Sequence, residues 1–178
     1  MKAAIVGCGG IAAVHAASIS QLQGAVLTAF ADIKKERAED FASRYGGKAY
    51  GSLEEMLEQE KTDVLHICTP HYLHVPMAIY GLNHGVHVFM EKPPVISREQ
   101  LEELEKAGQL ENTVIALSAD HYPYGLTNEQ YAQLRGKGHL EEPFELYENG
   151  FLIWTPGMEP VDVDVCCSSL DILPTLSN

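Results

Sequence analysis

Residues 1–118 point to an α/β fold, a parallel sheet wound with helices on both faces, and residues 119–178 to an incomplete α+β segment. Three observations carry this expectation. Short apolar, β-branched runs alternate with helix-forming stretches; a glycine cluster directly follows the first run; and the second run ends on an acid, Asp32.

KAAIVG (2–7), VLTAFAD (26–32), DVLHICT (63–69), VHVFME (86–91) and TVIALS (113–118) read as strands covered on both faces, since such runs leave no polar face for solvent. The short KAYG (48–51) reads as edge structure. Between them IAAVHAASISQLQ, KKERAEDFASRYG, SLEEMLEQ, VPMAIYGLNHG and SREQLEELEKAGQ have helical composition or spacing, and several stop at a glycine. Ser52 with Glu55, and Ser97 with Gln100, have the spacing of capping boxes. Strands separated by helices imply right-handed crossovers and a parallel sheet, with ligands bound beyond the carboxyl ends of the strands.

Composition narrows the partners. Hydrophobic residues make up 46% of the 178 and charged residues 21%, as in a globular chain. With 12 basic against 25 acidic side chains the net charge is −13, which argues against nucleic acid or an anionic membrane as partner. No apolar leader follows Met1 and no run approaches the length of a membrane span, so a cytoplasmic location is expected. Cys8, Cys68, Cys166 and Cys167 show no zinc-ribbon spacing and are expected to be reduced structural thiols.

Gly7-Cys8-Gly9-Gly10-Ile11-Ala12 fits GxGxxA after the first strand and opens the first helix. Gly7 permits the tight turn, Gly9 lets a pyrophosphate approach the backbone, and Ala12 lets the helix pack closely on the sheet. Asp32 follows 25 residues after Gly7, where an acid accepts hydrogen bonds from ribose hydroxyls. Turn and acid together indicate a dinucleotide, against a glycine turn of purely structural use. A carboxylate about 4 Å from a 2′-phosphate would be repelled by roughly 4 kcal/mol per unit charge at an effective dielectric near 20, so NAD is expected over NADP. Lys34, Lys35 and Arg37 either soften that preference or form a solvated helical turn.

Glu91-Lys92-Pro93-Pro94 ends another strand at the same expected edge. Neither proline can donate to a ladder, and Pro93 biases Lys92 away from helical dihedrals, so the lysine is held on a stiff bend. Beside an oxidised nicotinamide it would take a substrate hydroxyl proton during hydride transfer, with Glu91 orienting the ammonium; the other reading is a strand-end salt bridge. No metal is expected. His71 with His74, and His84 with His87, have i, i+3 spacing, but His66 and His87 fall in predicted buried strands, His84 at a helix end, and His15 reads as packing.

GCGGIAAVH, ADIKKERAEDFASRYG, YGSLEEML, DVLHICTPHYLH and GVHVFMEKP resemble, in order and spacing, the nucleotide-binding half of the Gfo/Idh/MocA oxidoreductases, the glucose-fructose oxidoreductase and inositol dehydrogenase group. The likeness covers residues 1–118 and implies a Rossmann-type NAD(P)-binding domain. It implies Lys92 as the catalytic or substrate-orienting residue, followed by a proline that is often cis. It also implies Gly9, Gly10 and Ile11 at the pyrophosphate, Asp32 at the ribose, and Thr69, Pro70, His74 and Glu91 on the nicotinamide side. His71 stands where relatives often have asparagine after Thr-Pro.

Past residue 118 only an outline of the family persists. Thr127 and Gln130 predict a capped helix to about Leu134, and FELYENGFLIW (144–154) predicts the first long strand of a second domain. That domain supplies the family's substrate pocket, often its oligomer interface, and an Asp/His pair assisting the lysine; Asp171 is a poor counterpart. Residues 119–178 are therefore expected to be a partial or atypical remnant of the substrate and oligomerisation domain, in a truncated member. The expected activity is hydride transfer between nicotinamide and a secondary alcohol or ketone of a sugar, cyclitol or related polyol, in a possible homo-oligomer. The alternative is a dinucleotide-binding module without efficient turnover. A methyltransferase shares the glycine loop and the acid but leaves Glu91-Lys92-Pro93 unexplained.

Overall fold

Along β1 (Lys2–Val6) successive side chains enter two different cores. Ala3 and Ile5 pack with Ala12 and Ala16 of helix α1 (Gly10–Ser20) and with Ala38 and Phe41 of α2 (Lys35–Tyr45). Ala4 and Val6 pack with Leu53 and Met56 of α3 (Leu53–Gln59) and Ala78 of α4 (His74–Asn83). Period-two alternation on an apolar strand thus produces the helix-covered sheet that the sequence implied. This is a computed structural model, which describes residues 1–108, 111, 113–118, 124–141, 145–148, 150–163 and 175.

The chain divides into two compact units, Met1–Gln109 and Leu110–Asn178. In the first, β2 (Val26–Ala31), β3 (Lys48–Tyr50), β4 (Val64–Ile67) and β5 (His87–Met90) join β1 in the order β3-β2-β1-β4-β5, every pair parallel. A register shift between Ala3 and Ala4 skips Thr28, so Leu27 and Phe30 share one face while Ala29 and Ala31 share the other. Gly47 braces this bulge: its φ is +94°, and a Cβ there would lie 2.6 Å from the Thr28 carbonyl oxygen. The shift leaves Asp32 on the α1 side of the sheet, where its carboxylate meets the glycine turn.

The helix starts follow the predicted chemistry with one change of detail. Ser52 and Ser97 accept from the amides of Glu55 and Gln100, starting α3 and α5 (Arg98–Lys106). The return bonds go one residue further out, from Gly51 N to Glu55 and from Ile96 N to Gln100. A reciprocal box occurs at Thr127 and Gln130, opening α6 (Asn128–Leu134). Each such cap is worth about 1 kcal/mol.

Three strand expectations need correction. TVIALS does not extend the parallel sheet: β6 (Ile115–Ser118) pairs antiparallel with β7 (Phe151–Trp154), and Ala116, Leu117 and Ser118 are exposed. β5 is consequently an edge strand rather than one covered on both faces. Val88 and Met90 pack against the α3/α4 core, while His87 and Phe89 on the other face are exposed. The long strand expected over 144–154 is shorter, because Glu145–Tyr147 forms a 3-10 turn before β7. Cys166, Cys167 and Asp171 lie outside the described residues.

Candidate dinucleotide and substrate site

Parallel register brings the strand ends level. Val6 is paired with Ala31 and Ile67, and Ile67 with Met90, so the residues after each strand share one edge of the sheet. The ladder runs one step further, through Gly7 N to Ala31 O, Cys68 N to Val6 O and Glu91 N to Ile67 O. Asp32 therefore lies on one side of the β1 turn, and Thr69, Glu91 and Lys92 on the other. The chain order reverses direction at β1, between its neighbours β2 and β4, the kind of crevice in which α/β sheets hold ligands.

The glycines of the turn have different physical reasons. Gly7 has φ +86°, and a Cβ on it would lie 2.8 Å from the backbone of Cys68 and from the Thr69 side chain; no other residue fits. At Gly9 and Gly10 an added Cβ would meet no protein atom within 4 Å. Internal packing therefore does not demand glycine there, and the backbone at both positions is open to close approach from outside. Gly9 caps α1 without any side-chain hydrogen bond, so the first amides of the helix are left for an anion. Ile11 is exposed at this mouth and Ala12 is fully buried against the sheet.

Asp32 is buried, and its two oxygens accept from Cys8 N and Lys34 N, both at 2.8 Å. The carboxylate thus braces the glycine turn and keeps lone pairs for further donors. Burial first, and the Asp32 charge next, push the Cys8 thiol up to about 12. Burial and then Glu91 do the same to Cys68, also up to about 12. Neither is a nucleophile near neutral pH.

On the other side, Lys92 is exposed and its peptide bond to Pro93 is cis, as the resemblance implied. Thr69 donates to Met77 Sδ at 3.5 Å, and Pro70 and His71 are exposed at the start of the 3-10 turn His71–Leu73. His74 is fully buried. Its Nδ1 lies 2.9 Å from Pro93 O and its Nε2 3.0 Å from Thr69 O, so it ties the β4 loop to the Lys92-Pro93 bend from beneath. Glu91, expected to orient the lysine, is itself oriented: Oε1 lies 2.8 Å from His15 Nε2. His15 Nδ1 lies 3.1 Å from His66 Nδ1 and 3.6 Å from Cys68 Sγ. Reading His15 as packing missed this cluster, although its position three residues after buried Ala12 and four before buried Ile19 puts it on the sheet-facing stripe of α1.

Among the described residues no group of three His, Cys, Asp or Glu side chains is arranged to hold a metal ion, and no helix is long and apolar enough to cross a membrane.

Comparison with known proteins gives two family matches. Residues 99–178 match the family described as Sulfatase, overlapping the end of the first unit and covering the second. Glucose-6-phosphate 3-dehydrogenase of Bacillus subtilis is 33% identical over 117 residues, 66% of this chain and 31% of that protein. The same organism's scyllo-inositol 2-dehydrogenase (NADP(+)) IolU is 30% identical over 116 residues, 65% of this chain and 35% of its own length. Among solved structures, the WlbA dehydrogenase from Bordetella pertussis in complex with NADH and UDP-GlcNAcA superposes with a TM-score of 0.56 at 33% identity, over 60% of this chain and 32% of that one. The chain thus spans about a third of the length of these relatives. Residues 1–118 match the GFO_IDH_MocA model, described as the oxidoreductase family with an NAD-binding Rossmann fold, and this chain belongs to that family.

Proposed function

We propose that this chain works as an NAD(P)-dependent oxidoreductase on a secondary alcohol or ketone of a sugar, cyclitol or related polyol, with Lys92 carrying the proton. The observation that carries the reading is the shared sheet edge: the turn Gly7–Gly10 lies between Asp32, after β2, and Lys92, after β5. The amides of Gly9, Gly10 and Ile11 hold the pyrophosphate at the start of α1, and Asp32 accepts from ribose hydroxyls. Thr69, Pro70, His71 and Glu91 face the nicotinamide side, and His74 serves it from below through the backbone it ties. A bound nicotinamide supplies the hydride acceptor or donor. Lys92 Nζ holds or releases the proton of the substrate oxygen, a role for which general acid–base catalysis contributes about 10²–10⁴-fold. NAD is preferred to NADP because the Asp32 carboxylate opposes a 2′-phosphate. The relatives' printed names include both NADH and NADP(+), so the preference rests on this residue alone.

For residues 119–178 we favour a sulfatase-type segment over a remnant of the family's substrate domain. The 99–178 match supports that choice. The substrate wall is then not supplied by this segment, which is the observation favouring the second reading, a dinucleotide-binding module without efficient turnover. Titration with NADH and NADPH, followed by NAD reduction assays on inositols and glucose derivatives, tests both. Binding with turnover that falls at least 100-fold in Lys92→Ala supports the enzyme; binding without turnover supports the module; no binding of either nucleotide overturns both.

A further inference from the structure

Behind the Lys92 bend is a half-buried polar cluster of which the proposed chemistry uses only Glu91. His15 stands on the sheet-facing side of α1, with its side chain 9% exposed and that of Glu91 21% exposed. An ionised carboxylate only accepts, so His15 Nε2 carries the hydrogen donated to Glu91 Oε1. His15 Nδ1 pairs with His66 Nδ1 at 3.1 Å, one ring donating and the other accepting. Burial, and secondarily His15, push His66 down to about 4, so that ring stays neutral. Phe89 closes the cluster, stacked on His66 at 4.9 Å and edge-on to His15 at 5.5 Å. Every member has a defined partner. The line of hydrogen bonds runs from β4 through α1 to the residue immediately before Lys92.

We infer that His15 is a positioning residue: by holding the Glu91 carboxylate to α1, it fixes the Glu91-Lys92-Pro93 bend relative to the helix whose first amides receive the dinucleotide phosphates. This deepens the function proposed above and rests on it. A histidine present only as packing would be replaceable by any side chain of similar bulk. A positioning histidine is replaceable only by one that still donates to Glu91. His15→Leu keeps bulk without a donor, and His15→Gln keeps an N–H donor.

The test is competitive acetylation of the full chain, with the extent at Lys92 and at the distant Lys2 and Lys48 read by peptide mass spectrometry, with and without NADH. ADP-ribose affinity is measured alongside as a check on the phosphate site. NADH is expected to protect Lys92 at least fivefold in the unsubstituted protein and in His15→Gln. In His15→Leu that protection should fall below twofold, while ADP-ribose affinity stays within twofold. Should His15→Leu fail to fold, His15→Met also keeps bulk without a donor and carries the same expectation. Equal protection of Lys92 in all variants, with NADH affinity intact, overturns this inference alone. Absence of NADH affinity in the unsubstituted chain overturns it together with the proposed function.

Discussion

The amide of Cys8, inside the glycine turn, donates to Asp32 Oδ2 at 2.8 Å, so the acid after β2 holds that turn in shape. Its other oxygen takes the amide of Lys34. Structure and specificity are therefore joined in one side chain. Asp32→Ala leaves two amides without acceptors, at a cost of about 1–3 kcal/mol for a buried donor, and also removes the charge that opposes a 2′-phosphate. Asp32→Asn retains one oxygen acceptor, loses the charge and turns an NH2 group towards the second amide. Urea unfolding is expected to show a clear loss of stability for the alanine variant and a smaller one for asparagine. Both should raise the NADPH-to-NADH affinity ratio at least tenfold. An unchanged ratio would remove Asp32 from the cofactor preference.

The two ends of the glycine turn are expected to respond oppositely to alanine. At Gly7 the added methyl would meet Cys68 and Thr69 at 2.8 Å, on a backbone with φ +86°. The left-handed conformation alone costs about 1–3 kcal/mol, and backbone atoms cannot move aside. Gly7→Ala should therefore lower the thermal midpoint by several degrees. Gly9→Ala meets nothing within 4 Å and should leave the midpoint within about a degree while weakening NADH binding at least tenfold. Scanning calorimetry with a nucleotide titration reads both effects. Equal loss of stability in the two variants would contradict the division.

Much of the candidate site was legible in the sequence because short motifs mark it. A glycine directly after a strand, an acid at a strand end and a lysine before a proline are each signalled by the residues beside them, although Gly7 is forced by Cys68 and Thr69 and Asp32 holds Cys8, all distant along the chain. The helix starts were legible for the same reason, down to the hydroxyls of Ser52 and Ser97. What escaped depends on which faces meet. His15, His66 and Glu91 are 51 and 25 residues apart along the chain and join only because strand parity and the α1 stripe point all three to the same side of the sheet. The fate of TVIALS was equally non-local. A short apolar run suits either a sixth parallel strand or half of an antiparallel pair, and the partner Phe151–Trp154 decides.

The same cluster sets a pH dependence of stability. In the folded chain burial lowers His66 to about 4, whereas an unfolded histidine titrates near 6.5. Above about pH 6.5 neither state is protonated there and the folded state carries no penalty. As pH falls from about 6.5 towards 4 the unfolded chain takes up a proton that the folded chain refuses, so stability declines, and the decline ends once the folded ring also protonates. Because the ring is only partly buried, the expected loss is about 1–2 kcal/mol rather than the full value of the shift. His15 faces this ring, and Glu91 and Cys68 face His15 in turn. They contribute in any variant that retains them, so the comparison is between proteins differing at His66 alone. His66→Phe keeps an aromatic ring against Phe89 and has nothing to titrate. Urea midpoints at pH 7 and pH 4.5 should differ more in the unsubstituted protein than in His66→Phe, by an amount equivalent to about 1–2 kcal/mol. An equal pH response in the two proteins would show that His66 takes up its proton as readily folded as unfolded.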